Sequence, residues 1–169
     1  PSLPTMHIRE IRSKIASTSS TRQITKAMEM MARTKMASAQ RRARDFRPYA
    51  ERVRAIAERV LRDRPDYGST LMTPRATVRR VGLIVVSTDR GLCGPLNARL
   101  LVQCLDALER WEQDGIACEL SVIGARGLQP LMRHGATIVA RSGGLAAQPH
   151  IDTVLGALLV PLTAFVDGE

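Results

Sequence analysis

Two hydrophobic rhythms divide the chain. Between Met6 and Leu61 there is no glycine and a single proline, Pro48, and the residues are mostly Ala, Met, Arg, Lys, Glu and Gln, which are good helix formers. Within this stretch Ala39, Ala43, Phe46, Ala50, Val53, Ala57 and Val60 recur at alternating spacings of four and three, the seam of a coiled-coil-type helix. A helix of roughly 54 residues is about 80 Å long, more than a small domain's diameter, so most of it has to project or span. Alanine supplies four of the seven seam positions, which allows close approach of a neighbouring helix. Upstream, Ile24, Met28, Ala32, Met36 and Ala39 contain an eleven-residue repeat, which straightens or reverses a left-handed supercoil. The stripe lapses at Ser17, Thr18, Ser19, Ser20, Thr21 and Arg22, where the helix is expected to weaken or to meet something polar. Pro48 removes one backbone hydrogen bond, which predicts a kink near residues 43–47 rather than an end.

After residue 61 the texture changes. Residues 62–80 carry Pro65, Gly68 and Pro74 and read as a linker. Residues 81–87 (VGLIVVS) form a short apolar, β-branched run of the kind expected for a strand buried on both faces. A turn at 91–94 (GLCG) leads to a helix predicted over 96–114, with Leu100, Leu101, Cys104, Leu105, Leu108 and Trp111 inward and Gly115 as its stop. A strand near 118–123, a helix near 127–134, a strand near 137–140 and a helix from 151 complete the order βαβαβα. That alternation predicts an α/β domain over 81–169 with a parallel sheet and right-handed crossovers. The organisation expected is therefore a shaft helix over 1–61, a linker over 62–80 and the α/β domain. The sequence ends just after the last helix, with no apolar element left to pair with the seam, so the partner helix is expected in another polypeptide or in a missing C-terminal part.

Charge sharpens this division. The net charge is +9, but residues 1–64 hold 16 Lys and Arg against 6 Asp and Glu, whereas residues 65–169 hold 9 against 10. The positive excess lies entirely on the predicted helix, which points to an anionic partner: a nucleic acid, a membrane surface or an acidic protein face. Arg41, Arg42, Arg44, Arg47, Arg52, Arg54 and Arg59 crowd one stretch, and such repulsion costs helix stability unless something outside compensates. No run approaches 18 apolar residues, which excludes a transmembrane helix. Aromatic residues make up only 3%, too few for a single-strand stacking platform. No apolar signal region opens the chain, and Glu10 and Glu29 count against a transit peptide, so a cytoplasmic location is expected.

Candidate chemistry is sparse. The segment from Ser87 to Asn97 follows the first strand, where a doubly wound sheet would bind phosphate, but it matches neither GxGxxG nor GxxxxGK[ST]. Cys93 lies near a helix start, yet His7, His134 and His150 are distant in sequence, and catalysis would need a base within reach. Cys93, Cys104 and Cys118 form no CxxC pair and read as free thiols. The histidines lack metal-ligand spacing with any cysteine or acid. No catalytic, cofactor or metal residue is assigned.

The run IREIRSKIAS from Ile8, followed by QITKAMEM from Gln23, resembles the start of the gamma subunit of F-type ATP synthases. The run VVSTDRGLCG from Val85, ending in Leu96 and Asn97, resembles the same family's central motif, with RPYAE at 47–51 between the two and VIG at 122–124 after them. Pro95 stands where the family usually has Gly or Ala. The resemblance implies a Rossmann-like domain on a long shaft helix. It also implies a non-catalytic rotor with no cofactor, at the cytoplasmic face of a bacterial inner membrane as a peripheral subunit. The partners implied are the alpha and beta subunits, the epsilon subunit and the c-ring, with no nucleic acid among them. By resemblance Ile24, Thr25, Lys26, Met28, Arg33 and Lys35 face acidic loops of beta, and Asp89, Arg90 and Cys93 lie in a second contact near the same loops. The family's second shaft helix and last strands have no counterpart here. The rival reading is a basic helical arm on an α/β domain that binds nucleic acid, which requires affinity falling steeply with salt.

Overall fold

The structure, a computed structural model, describes residues 8–64, 70–71, 73–145 and 149–168. His7 and the linker's Pro65 and Gly68 lie outside the described residues. The chain divides into two compact units, one up to residue 67 and one from residue 68.

The first unit is one helix, α1, Ile8–Asp63, 56 residues long, and none of its residues is buried. Glu10 lies in its first turn and Arg62 in its last, each favourable to the helix dipole. Ion pairs one turn apart, Glu10 with Lys14 (3.5 Å), Glu29 with Arg33 (2.6 Å) and Asp63 with Arg59 (3.3 Å), add small increments. The expected weakening around residues 17–22 does not occur. Thr18 and Thr21 donate their hydroxyl protons to the carbonyls of Lys14 and Ser17, at 2.8 and 3.0 Å, so polar side chains fold back onto their own helix. The helix also runs on through Pro48.

The second unit follows the βαβαβα order: β1 (Arg80–Val86), α2 (Leu96–Gln113), β2 (Ala117–Ile123), α3 (Ala125–Arg133), β3 (Thr137–Ser142) and α4 (Ile151–Asp167). The sheet is parallel in the order β1-β2-β3, with Arg80 opposite Ala117 and Val86 opposite Ile123. Its β2–β3 register shifts at Leu120/Ser121. Successive β2 residues face opposite ways. Leu120 and Val122 join Val85, Cys104 and Leu131 in the core under α2 and α3. Ser121, fully buried, donates to the Ala157 carbonyl of α4. The sheet is therefore a middle layer, Rossmann-like, with α2 and α3 on one face and α4 on the other. Gly115 takes φ +69° just past the α2 C-cap, and the Ile116 N–H bonds back to the Trp111 carbonyl at 2.8 Å, the glycine stop expected there.

Strand β1 differs from expectation. Only Val85 is buried, while Ile84 is 38% and Val86 63% exposed. The run is apolar on both faces, but β1 is an edge strand, and α4 leaves its outer part uncovered. Helix α4 also exposes Ile151, Leu155, Leu159, Val160, Leu162, Phe165 and Val166.

Candidate partner-contact surfaces

A helix turns about 100° per residue, which decides which residues of α1 share a face. Ile24, Met28 and Lys35 fall within about 40° of one another, on the face that carries the seam from Ala39 to Val60. Thr25 lies at its margin, and Lys26 and Arg33 fall on the opposite side. The six residues expected to meet one partner surface are thus not brought together by the helix. Thr25 and Arg33 are further committed locally: the Thr25 hydroxyl bonds to the carbonyls of Thr21 and Arg22, both at 3.0 Å, and the Arg33 guanidinium bonds to Glu29. Along the seam only Ala57 and Val60 are half-buried; Ala39, Ala43, Phe46, Ala50 and Val53 are exposed. Phe46 and Tyr49 stack at 5.5 Å between centroids, tilted by 47°. Arg42 lies on the seam face and donates to the Ser38 hydroxyl at 3.1 Å, while Arg41, Arg44, Arg52 and Arg59 turn away from it.

The second surface is the turn between β1 and α2. Its first residue, Ser87, is fixed against the neighbouring strand. The Ser87 N–H bonds to the Ile123 carbonyl (2.7 Å), its hydroxyl donates to the Gly124 carbonyl (2.9 Å), and it accepts from the Gly127 N–H (2.9 Å). Gly124 has φ +95°. A Cβ there would stand 2.2 Å from the Ser87 carbonyl oxygen.

Thr88, Cys93 and Asn97 form a closed polar network. The Asn97 amide nitrogen donates to the Thr88 hydroxyl (2.8 Å) and the Cys93 sulfur (3.2 Å), the Thr88 hydroxyl donates to the Arg90 carbonyl (2.7 Å), and the Thr88 N–H reaches the Asn97 amide oxygen (3.2 Å). Cys93 is half-buried and acts here as a hydrogen-bond partner within the turn. Cys104 and Cys118 carry thiols whose pKa burial pushes up, and for Cys118 the charge of Glu119 adds to this. Among the described residues no group of three or more His, Cys, Asp or Glu is placed to hold a metal ion.

Asp89 points inward rather than outward. Its carboxylate accepts N–H groups from Ala125 (2.8 Å), Gly144 (3.2 Å) and Leu145 (2.5 Å), which belong to the segments leaving β2 and β3. Ala125 is the first residue of α3, so the carboxylate also caps the positive end of that helix. The Ala125 N–H does most to hold the Asp89 carboxyl below its ordinary value of 3.8; Leu145, Gly144 and the charge of Arg90 add to this, against an upward push from desolvation. Of the three turn residues expected to meet a partner, Arg90 alone is exposed. The residue that sequence reasoning passed over is Leu92, which is 93% exposed with φ +62°. The GLCG run drew attention to its cysteine, and nothing in the sequence marked the leucine as the left-handed residue.

The profile of the family described as ATP synthase matches residues 7–168. Over 161 residues the sequence is 45% identical to the ATP synthase gamma chain of Cupriavidus pinatubonensis, with 95% of this protein and 55% of that one covered. It is 39% identical to that of Thiobacillus denitrificans over 161 residues, with 95% and 56% covered. It is 43% identical to that of Burkholderia mallei over 162 residues, with 96% and 56% covered. The chain spans a little over half the length of these relatives. A profile running through nearly the whole sequence, on a fold with the long helix and parallel sheet, means that the chain belongs to the ATP synthase family as one of its gamma chains.

Proposed function

We propose that this chain forms one strand of the shaft, and part of the foot, of the central-stalk rotor of an F-type ATP synthase. In this reading it does no chemistry itself. Rotation driven by ion flow carries α1 past the acidic loops of the beta subunits, where ATP is made or hydrolysed, while the α/β domain meets the epsilon subunit and the c-ring. The protein is then a peripheral subunit on the cytoplasmic face of the membrane. No helix among the described residues is long and apolar enough to cross a bilayer.

The observation that carries this reading is α1 itself: 56 residues with none buried, about 84 Å of helix with its apolar stripe exposed from Ala39 to Val53. A helix this long gains most of its stability from packing an amphipathic face, so it is built to lie against something else. The small seam residues suit a second helix, and the arginines on the other sides suit a ring of acids. Exposed pairs are worth about 0 to 1 kcal/mol each, weak enough for a rotor to leave one position for the next.

The test is reconstitution. The protein mixed with alpha and beta subunits should co-elute with them, and addition of a peptide carrying the second shaft helix of a full-length gamma subunit should strengthen the complex. Failure to join alpha and beta under both conditions, together with duplex DNA binding that falls with a log-log salt slope near −0.9 per phosphate contacted, would refute it.

A further inference from the structure

Between α2 and α3, at the end where both helices begin, lies a cavity of about 130 Å³. Its apolar lining includes Leu101 and the buried Val85, Cys104 and Leu131. Two polar side chains reach its mouth, Asn97 and Arg126, and they differ in what they have left to offer. The Asn97 amide is engaged at both ends, its oxygen by the Thr88 N–H and its nitrogen by the Thr88 hydroxyl and the Cys93 sulfur. Arg126 is exposed, its guanidinium stands 3.2 Å from where a Cβ of Gly91 would be, and among the described residues it has no hydrogen-bond or ion-pair partner.

The chemistry of the mouth selects a carboxylate. The first N–H groups of α3 are already taken: that of Ala125 by Asp89 (2.8 Å), that of Arg126 by the Thr88 carbonyl (2.9 Å) and that of Gly127 by the Ser87 hydroxyl (2.9 Å). They offer no cradle for a phosphate. What is left is one guanidinium fork, which matches a single carboxylate in two-point contact, and the positive ends of two helices favour negative charge beside it. Farther in, among the described residues, no buried side-chain nitrogen or oxygen lacks a partner, so the inner end of a ligand has to be apolar. An apolar cavity of about 150 Å³ stays dry and holds one benzene; the space here suits a tail of about five carbons.

We propose that this cavity binds a small aliphatic monocarboxylate of about six carbons, with its tail among Val85, Leu101, Cys104 and Leu131 and its carboxylate on the Arg126 guanidinium. The C-terminus of a polypeptide also sets a carboxylate beside an apolar side chain. Its amide N–H, however, needs an acceptor, and at this mouth the Asn97 amide oxygen and the Thr88 carbonyl each already accept a backbone N–H. The site needs neither an alpha nor a beta subunit and does not rest on the rotor reading.

The test titrates the full chain with straight-chain carboxylates from acetate to decanoate and follows the methyl NMR signals of Leu101 and Leu131. Affinity should rise about fourfold per added carbon as far as about hexanoate, then level off or fall. Uncharged 1-hexanol should bind about tenfold or more weakly than hexanoate. Arg126→Gln, a change at an exposed side chain, should lower hexanoate affinity by a similar factor and leave that for hexanol unchanged. Affinity that keeps rising through decanoate would mean adsorption to exposed apolar surface and would overturn the site, as would no shift with any of these acids or hexanoate binding unchanged in Arg126→Gln. Tighter binding of hexyl phosphate, or of an acetylated dipeptide ending in leucine, than of hexanoate would overturn the choice of ligand.

Discussion

Replacement of Gly124 by alanine tests how the turn is locked to the sheet. Gly124 holds φ +95° and ψ 136°, a region nearly reserved for glycine, at a cost of about 1 to 3 kcal/mol for other residues. The new Cβ would also lie 2.2 Å from the Ser87 carbonyl oxygen and 2.7 Å from its carbonyl carbon and hydroxyl oxygen. These are mostly backbone atoms, pinned by the bonds from Ser87 N–H to Ile123 and from Gly124 N–H to Ser142, both 2.7 Å, so relief requires the ends of β1 and β2 to part. Overpacking of this kind costs about 1 to 3 kcal/mol, and the stiffer unfolded state gives back about 0.4 to 1. Midway through these ranges the net loss is about 3 kcal/mol, or a melting point lowered by roughly 12 to 24 °C in a domain of this size. Trp111 is the sole tryptophan and sits on α2, so its fluorescence follows this unit rather than α1. Gly94→Ala is the control: φ is positive there too, at +60°, but nothing lies within 4 Å of the added carbon, so it should cost only about 1 to 2 kcal/mol for its backbone conformation. Equal losses in the two variants would refute the claimed clash.

Three further outcomes are expected. The folded pKa of Asp89 is depressed below 3.8, so its stabilisation is complete above that value and is lost as pH falls below it; the protection of the Gly144 and Leu145 amides against exchange, relative to their intrinsic rates, should fall in acid ahead of that of Leu120, and Asp89→Asn should show the low protection at neutral pH. Arg75 lies 4.8 Å from the Phe165 ring centroid and donates to the Phe165 carbonyl near the end of α4; Arg75→Ala should cost about 1 kcal/mol in urea titration, and Arg75→Lys should recover only part. Ala50 is exposed on the seam, so Ala50→Asp should leave the isolated protein's melting unchanged yet sharply reduce recovery with alpha and beta subunits. Arg59→Ala, which breaks only an exposed pair with Asp63, should barely alter recovery, and equal effects would count against the seam.

Local signals carried much of the fold. The absence of glycine through α1, the run at β1, Gly115 after α2 and the alternation beyond it all act within a turn or two of the residues concerned. What escaped the sequence acts at a distance. Helix α3 begins at Ala125, two residues before the expected start, because Gly124 makes the sharp exit from β2 and a carboxylate 36 positions away caps the first N–H. Asp89 reads as a surface charge when its neighbours are Thr88 and Arg90; only the topology brings Gly144 and Leu145 to it. The Ser and Thr cluster in α1 has two hydrogen-bonding options, and composition does not choose between them. Sequence position makes the proposed contact residues on α1 a single block, whereas helical phase separates Ile24, Met28 and Lys35 from Lys26 and Arg33.

Uncovered apolar surface comes in two kinds here, and the difference says what each is built to meet. Helix α1 confines its apolar residues to one stripe and surrounds them with charge, the pattern of a helix that packs along one side and stays wet on the others. Helix α4 carries no Lys or Arg, its acids are Asp152 and Asp167 at its two ends, and its large side chains face outward on several sides while a single residue, Ala157, is buried. A helix apolar nearly all round belongs in an interior, and β1 beside it has an open edge and an exposed Val86. One added helix would satisfy the stripe of α1. The surface of α4 and β1 calls for a layer rather than a single helix.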